Sequence, residues 1–199
     1  MSRKYTLKQR AIKQDETRKR ILGAVVALHE EVGPAQTSIS AIAERAGVQR
    51  LTVYRHFPDE SEMFDACRNQ WMDSHPVPDL APLRALSDPA QRLRQALLAM
   101  YHYYEQTEAM TANVIRDAAV SETVATAMQP MLTYLGSIHR MLRDGWDEPV
   151  QQPALLDAVI AHALDFMTWQ SLVRRQGLTN DQVAEIMSCL VQCVADREP

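Results

Sequence analysis

No apolar run in this chain approaches about 18 residues, the length a membrane-spanning helix needs, so no transmembrane segment is expected. Its first residues are basic and polar with no apolar stretch among them, and no secretory leader is expected either. Cysteine is scarce. Cys67, Cys189 and Cys193 are an odd number, well separated, and offer no disulfide framework, which fits a reducing cytoplasm. Glycine is also rare, with six in 199 residues, and β-branched residues seldom run together, so helix is favoured over sheet. The motifs of catalysis are missing too. There is no glycine-rich phosphate loop, no Gly-x-Ser-x-Gly and no His-Glu-x-x-His, and no enzyme activity or cofactor is expected. Cys189 and Cys193, four apart, form half of a metal site without a matching pair, and His102 with Glu105 is a lone i, i+3 couple. No metal is expected at either.

What is present is concentrated in residues 37–58. Thr37 or Ser38 is suited to cap a helix whose apolar face is Ile39, Ile42, Ala43 and Ala46. Gly47 stands where that helix must end in left-handed backbone. A second short helix, about Gln49–Phe57, is stopped by Pro58, with Val48 and Val53 placed to anchor it on the first. This is the pattern of a helix-turn-helix. Its second helix presents Gln49, Arg50, Thr52, Tyr54, Arg55 and His56. Arginine reads guanine bidentately, glutamine reads adenine, and hydroxyl or imidazole groups hold phosphates. Arg50 and Arg55, with Gln49 beside them, are the expected base readers. Thr37, Thr52, Tyr54 and His56 are the expected phosphate contacts. A polar, solvated face on a helical hairpin is the plainer alternative.

The run Thr52-Val53-Tyr54-Arg55-His56-Phe57-Pro58 resembles the end of the DNA-binding domain in the tetracycline-repressor (TetR) family of bacterial regulators. The resemblance covers roughly residues 15–65; the rest of the chain matches only in length and helical character. It implies an all-α fold, with a three-helix head carrying the helix-turn-helix and a larger helical body for ligand binding and dimerisation. Two positions depart from the family. Leu51 stands where glycine is frequent. Asp59 and Glu60 stand where a phosphate-contacting lysine often begins the next helix, so that contact is not implied here.

Charge divides the chain in the same place. Residues 1–60 hold 11 lysines and arginines against seven acids, whereas the remainder holds ten against 18. The basic pole coincides with the helix-turn-helix, and the acidic bulk repels DNA and orients the molecule. Three segments are expected: a mobile basic arm over 1–13, a DNA-binding head over 14–58 and a helical body over 59–199. The first helix is expected over Asp15–Val32, and the helix with Pro58 in its first turn is expected to be the link that transmits motion. Later helices are expected over about Glu108–Ala119, Glu122–Arg143 with a kink or break at Pro130, and Ala154–Arg175, with a loop over Gly145–Pro153. A capping box at Thr179 and Gln182 opens the last helix.

The last two helices are apolar on more than one face, and the resemblance implies that they pair with their copies in a twofold dimer. Such a dimer reads a palindromic operator in double-stranded DNA, with half-sites about 34–36 Å apart or a multiple. Met100, Tyr101, Tyr104, Met128, His162, Phe166 and Trp169 are the residues suited to line a site for a small apolar or aromatic effector. Ordinary core packing is the alternative for each. The function expected is that of a ligand-released dimeric repressor, with an activator as its variant. A helical scaffold meeting a protein partner is the rival, resting on Asp59, Glu60 and the net charge of -4.

Overall fold

The computed structural model describes residues 3–146 and 152–196, with side chains from Lys8 onward. All regular structure among the described residues is helical: α1 Arg3–Glu31, α2 Ile39–Ala46, α3 Arg50–His56, α4 Glu60–Ser74, α5 Pro89–Ala118, α6 Glu122–Arg143, α7 Pro153–Leu164, α8 Phe166–Gln170 and α9 Asn180–Ala195. None of them is long and apolar enough to cross a membrane. The chain forms two compact units. One comprises the residues up to Pro76 with Glu108–Gln129, and the other comprises Val77–Thr107 with the chain from Pro130 onward.

In the first unit, α1 begins at Arg3, so the basic segment expected to be a mobile arm is helical. Lysine, leucine, glutamine, arginine and alanine are good helix formers, and no glycine or proline interrupts the chain before Gly23. From Ile21 onward α1 becomes the spine of the head. Ile21, Leu22, Val25 and Leu28 pack with Ile42, Ala43, Ala46, Val53, Phe57, Met63 and Cys67 in one core. Each buried aliphatic side chain contributes about 1.5–3 kcal/mol. Arg45 of α2 holds both carboxylate oxygens of Glu31 of α1, at 2.6 and 2.7 Å.

α1 ends at a joint supplied from far along the chain. Asn113 of α5 donates to His29 O at 3.0 Å and Glu30 O at 2.7 Å, and Arg116 donates to Val32 O at 2.8 Å. The buried Asp117 carboxylate accepts from Ala35 N at 2.8 Å and from Arg116 Nε at 2.7 Å. Helix-end carbonyls buried against protein need such donors. Gly33 makes the reversal at φ +94°, and a Cβ there would collide with Arg116 Nη2 and the Asp117 carboxylate. Nearby, burial lowers the His29 imidazole to about 4 against the weaker opposing pull of Asp117, and raises the Cys67 thiol to about 12. The protonated thiol and the neutral ring meet across 3.5 Å between Sγ and Nδ1.

Three further expectations need correction. Pro58 lies outside α4, whose N-cap is Asp59; its carboxylate accepts from Ser61 N at 3.0 Å, a capping role proline cannot fill. No separate helix starts at Glu108, because α5 runs unbroken for 30 residues. In the second unit the expected Ala154–Arg175 helix is broken at Asp165, whose side chain caps α8 by accepting from Thr168 N at 2.9 Å. α8 continues as one π-helical turn, Ser171–Arg175.

The Glu122–Arg143 helix has the expected bounds, but the break expected at Pro130 is absent, since that proline lies inside an unsplit α6. α9 opens on the Thr179–Gln182 capping box; it buries Val183, Met187, Val191 and Val194 and exposes Ile186, Cys189, Leu190 and Cys193. Of the Gly145–Pro153 loop, residues 147–151 lie outside the described residues.

Two measurements test this packing. Gly33→Ala should lose about 1–3 kcal/mol through strain and collision. Gly23→Ala should gain about 0.5–1 kcal/mol, because that glycine is helical with open space around it. Urea unfolding of both variants reads the opposite signs. The second test concerns His29. From about pH 6.5 down to about 4 the unfolded chain takes up a proton that the folded ring refuses, so stability falls as pH drops and is fully present above 6.5. His29→Asn should flatten that loss, which is on the order of 1–3 kcal/mol.

Candidate nucleic-acid interface and effector residues

The turn before the recognition helix is set by local chemistry. Ser38 caps α2 by accepting from Ala41 N at 3.1 Å. Gly47 then takes φ +63° and ψ +42°, with Gly47 N bonded to Glu44 O and Val48 N to Ala43 O. This left-handed residue closes α2 and releases the chain into α3. Gln49 is the N-cap of α3, its carbonyl accepting from Thr52 N at 2.8 Å. Val53 is fully buried in the head core, and Phe57 is buried at the helix end. With one side of α3 fixed this way, the opposite side is open.

That open side holds most of the expected readers. Gln49, Arg50, Tyr54 and Arg55 are exposed, and Thr52 and His56 are half-buried. Burial first, then repulsion from Arg55 and Arg18, lowers the His56 imidazole below its ordinary range, so it is neutral at neutral pH. Its Nε2 is shielded and has no hydrogen-bond partner. Thr37 is placed differently. Its hydroxyl donates to Gly33 O at 2.8 Å, and a phosphate, which only accepts, would have to win that proton from the carbonyl. Arg20 of α1 lies beside the turn, with Nη1 3.9 Å from where a Cβ on Gly47 would stand.

One residue on this face escaped the sequence reading. Leu51 is 75% exposed, flanked at i+3 and i+4 by Tyr54 and Arg55. Apolar residues at helical spacing are ordinarily assigned to the core. The available signal was phase: Val53 fixes the buried side, and Leu51, two residues away, points nearly opposite.

The effector candidates do not gather in one place. Met128 belongs to the first unit and is half-buried. His162 is exposed on α7, with Nδ1 3.0 Å from Thr168 Oγ1. Met100, Tyr101, Tyr104, Phe166 and Trp169 are together in the second unit and deeply buried. Tyr104 meets Phe166 edge-on at 5.5 Å and Trp169 at 5.9 Å between ring centroids.

The break at Asp165 explains the tyrosines. α7 ends with carbonyls that have no helical partner, and Tyr101 donates to Ala163 O at 2.8 Å while Tyr104 donates to Leu164 O at 2.6 Å. Burial raises both phenols, so they remain protonated donors. Trp169 Nε1 donates to Asn180 Oδ1 at 2.9 Å, and Asn180 donates to Glu105 at 3.0 Å. The signal for the break was present as an Asp three residues ahead of Thr168, a cap hidden inside an apolar run.

Comparison with known proteins agrees with this geometry. Residues 21–67 match the family model described as bacterial regulatory proteins, tetR family. A transcriptional activator of Mycolicibacterium smegmatis, FasR, is 27% identical over 120 residues, covering 60% of this chain and 55% of that protein. The match thus spans about half the length of that relative. A crystal structure of a TetR-like regulator from Rhodococcus sp. RHA1 superposes with a TM-score of 0.65 at 20% identity, covering 91% of this chain and 97% of that one. NalD of Pseudomonas aeruginosa, described as the secondary repressor of the MexAB-OprM multidrug efflux pump, gives 0.59 at 22% identity, covering 92% and 96%. The head, residues 21–67, thus matches the tetR family of bacterial regulatory proteins, and the fold is shared with a TetR-like regulator along nearly the whole chain.

Proposed function

We propose that the protein is a dimeric, DNA-binding transcriptional regulator that releases a palindromic operator when a small effector binds. The observation that carries this reading is α3 itself. It is a short helix anchored by Val53 and Phe57, with Arg50, Leu51, Tyr54 and Arg55 turned outward after a glycine-closed turn. Arg50 and Arg55 read base edges in the major groove, with Gln49 beside them, and Leu51 supplies an apolar contact of the kind a thymine methyl accepts. Tyr54, Thr52 and His56 position phosphates, and Thr37 joins them if it gives up Gly33 O.

In this reading residues 14–58 read DNA with the basic segment 1–13 beside them, and residues 59–199 bind effector and partner. The exposed apolar stripe Ile186, Cys189, Leu190 and Cys193 on α9 supports pairing of the last helices with their copies, as does Met167 on α8. The aromatic cluster around Tyr104 supports a small apolar or aromatic effector. The compartment in this reading is the cytoplasm. Repression is the sign favoured here; FasR, named an activator, keeps activation as the second reading. The rival scaffold reading loses one of its supports, since Asp59 serves as a helix cap.

Selection of genomic fragments by the purified protein should enrich one palindrome, with half-sites about 34–36 Å apart or a multiple. Enrichment of nothing, both before and after unfolding and refolding to strip effector, would overturn the reading. Binding should weaken steeply with salt, as phosphate contacts require and an apolar protein contact does not. On the selected sequence Arg50→Ala should relax preference at one base step by about 1–3 kcal/mol. Tyr54→Ala should weaken all sequences alike. Equal loss across sequences for Arg50→Ala would remove its assigned role.

A further inference from the structure

Arg18 lies on α1, outside the helix-turn-helix, and makes three contacts at once. Its Nη1 donates to His56 O at 2.8 Å, and its Nη2 reaches Glu62 Oε1 at 3.3 Å. Its guanidinium lies over the Phe57 ring, with Cζ 4.1 Å from the centroid. His56 is the last residue of α3, so this carbonyl is at the negative end of the helix and has no partner within it. Glu62 sits in the first turn of α4. One side chain of α1 therefore joins the last turn of α3 to the first turn of α4.

We propose that Arg18 is a positioning residue for DNA reading: it fixes the C-terminal end of α3 through His56 O and Phe57, and through Glu62 it makes the placement of α3 depend on α4. The inference rests on the DNA-reading function proposed above. A guanidinium suits this role because it offers separate donors and a flat face together, whereas an ammonium is one point charge on a flexible stem. Both terminal nitrogens are aimed at protein, Nη1 at a carbonyl and Nη2 at a carboxylate, and the flat face covers a ring, which argues against a phosphate contact. The acid-rich opening of α4 thereby gains a use. Asp59 caps the helix, and Glu62 anchors the residue that holds the recognition helix. An effector that moves the first turn of α4 then acts on Arg55 and His56 without touching DNA, and DNA acts back on effector affinity by the same factor.

The test uses the full chain with Arg18→Lys and Glu62→Gln. Amide hydrogen exchange is measured without DNA. The preference for the sequence selected by the unaltered protein over a random duplex is measured along with its salt dependence. Both variants should speed exchange at Tyr54–Phe57 while leaving Ile39–Ala46 unchanged. They should also lower the preference by about tenfold, the equivalent of about 1.4 kcal/mol. The salt slope of Arg18→Lys should stay where it was, because charge is kept and no phosphate contact is lost.

The proposal is overturned if Arg18→Lys keeps both exchange and preference while Arg18→Gln lowers the slope by about one, since Arg18 would then be a phosphate contact. Exchange that rises equally through α1, α2 and α3 would also overturn it, by reducing Arg18 to general support of the head. An unaltered protein that prefers no sequence would defeat the DNA-reading function instead; the exchange data would then still decide whether Arg18 holds α3.

Discussion

A helix leaves carbonyls at its end that no residue of that helix can satisfy, and burying them without donors costs on the order of 1–3 kcal/mol each. At three buried or half-buried helix ends this chain meets that demand with side chains from distant sequence. Asn113 and Arg116 serve the end of α1, Arg18 serves the end of α3, and Tyr101 and Tyr104 serve the end of α7. Exposed helix starts use cheap local caps instead, such as Ser38, Asp59, Asp165 and Thr179. Starts are therefore written next to the helices they open, whereas these three ends tie segments together. Each unit is held by apolar burial, and the long-range donors set where the elements stop.

The same asymmetry decides what the sequence discloses. Ser38, Gly47 and the Thr179–Gln182 box are readable because the residue that caps and the amide it caps lie within four positions. The head core is readable because Ile21, Val25, Ile42 and Val53 fall at helical spacing. At the Asp165 break only the cap is local; the tyrosines that make the break tolerable stand 60 and 62 residues from the carbonyls they bond. The separate helix expected to start at Glu108 fails for the opposite reason. Nothing between Tyr104 and Ala118 forbids a helix, and Thr107 sends its hydroxyl back to Tyr103 O rather than ending the run.

The candidate DNA face divides in the same way. Arg50, Tyr54 and Arg55 declare themselves by residue type on a short helix after a glycine turn. Leu51 does not, because a leucine reads as core until the buried side is known from Val53. Arg18 is hidden further still: its partners His56 and Glu62 lie 38 and 44 residues on. Among the effector candidates, Tyr101 and Tyr104 also satisfy the carbonyls at the end of α7. Residue type alone could not separate those duties, since a tyrosine that lines a site and one that closes a helix look alike in sequence.

The atom that Arg18 holds on α3 belongs to the main chain. Any residue at position 56 presents the same oxygen, and the anchors Val53 and Phe57 face away from the open side. Docking and reading are thus written in separate letters. On the DNA-reading function proposed above, positions 50, 51 and 55 can drift under selection for a new target while the mounting of the helix stays unchanged. A lineage built on such a head would change which sequences it reads by a handful of substitutions, keeping the Arg18 contacts as they are.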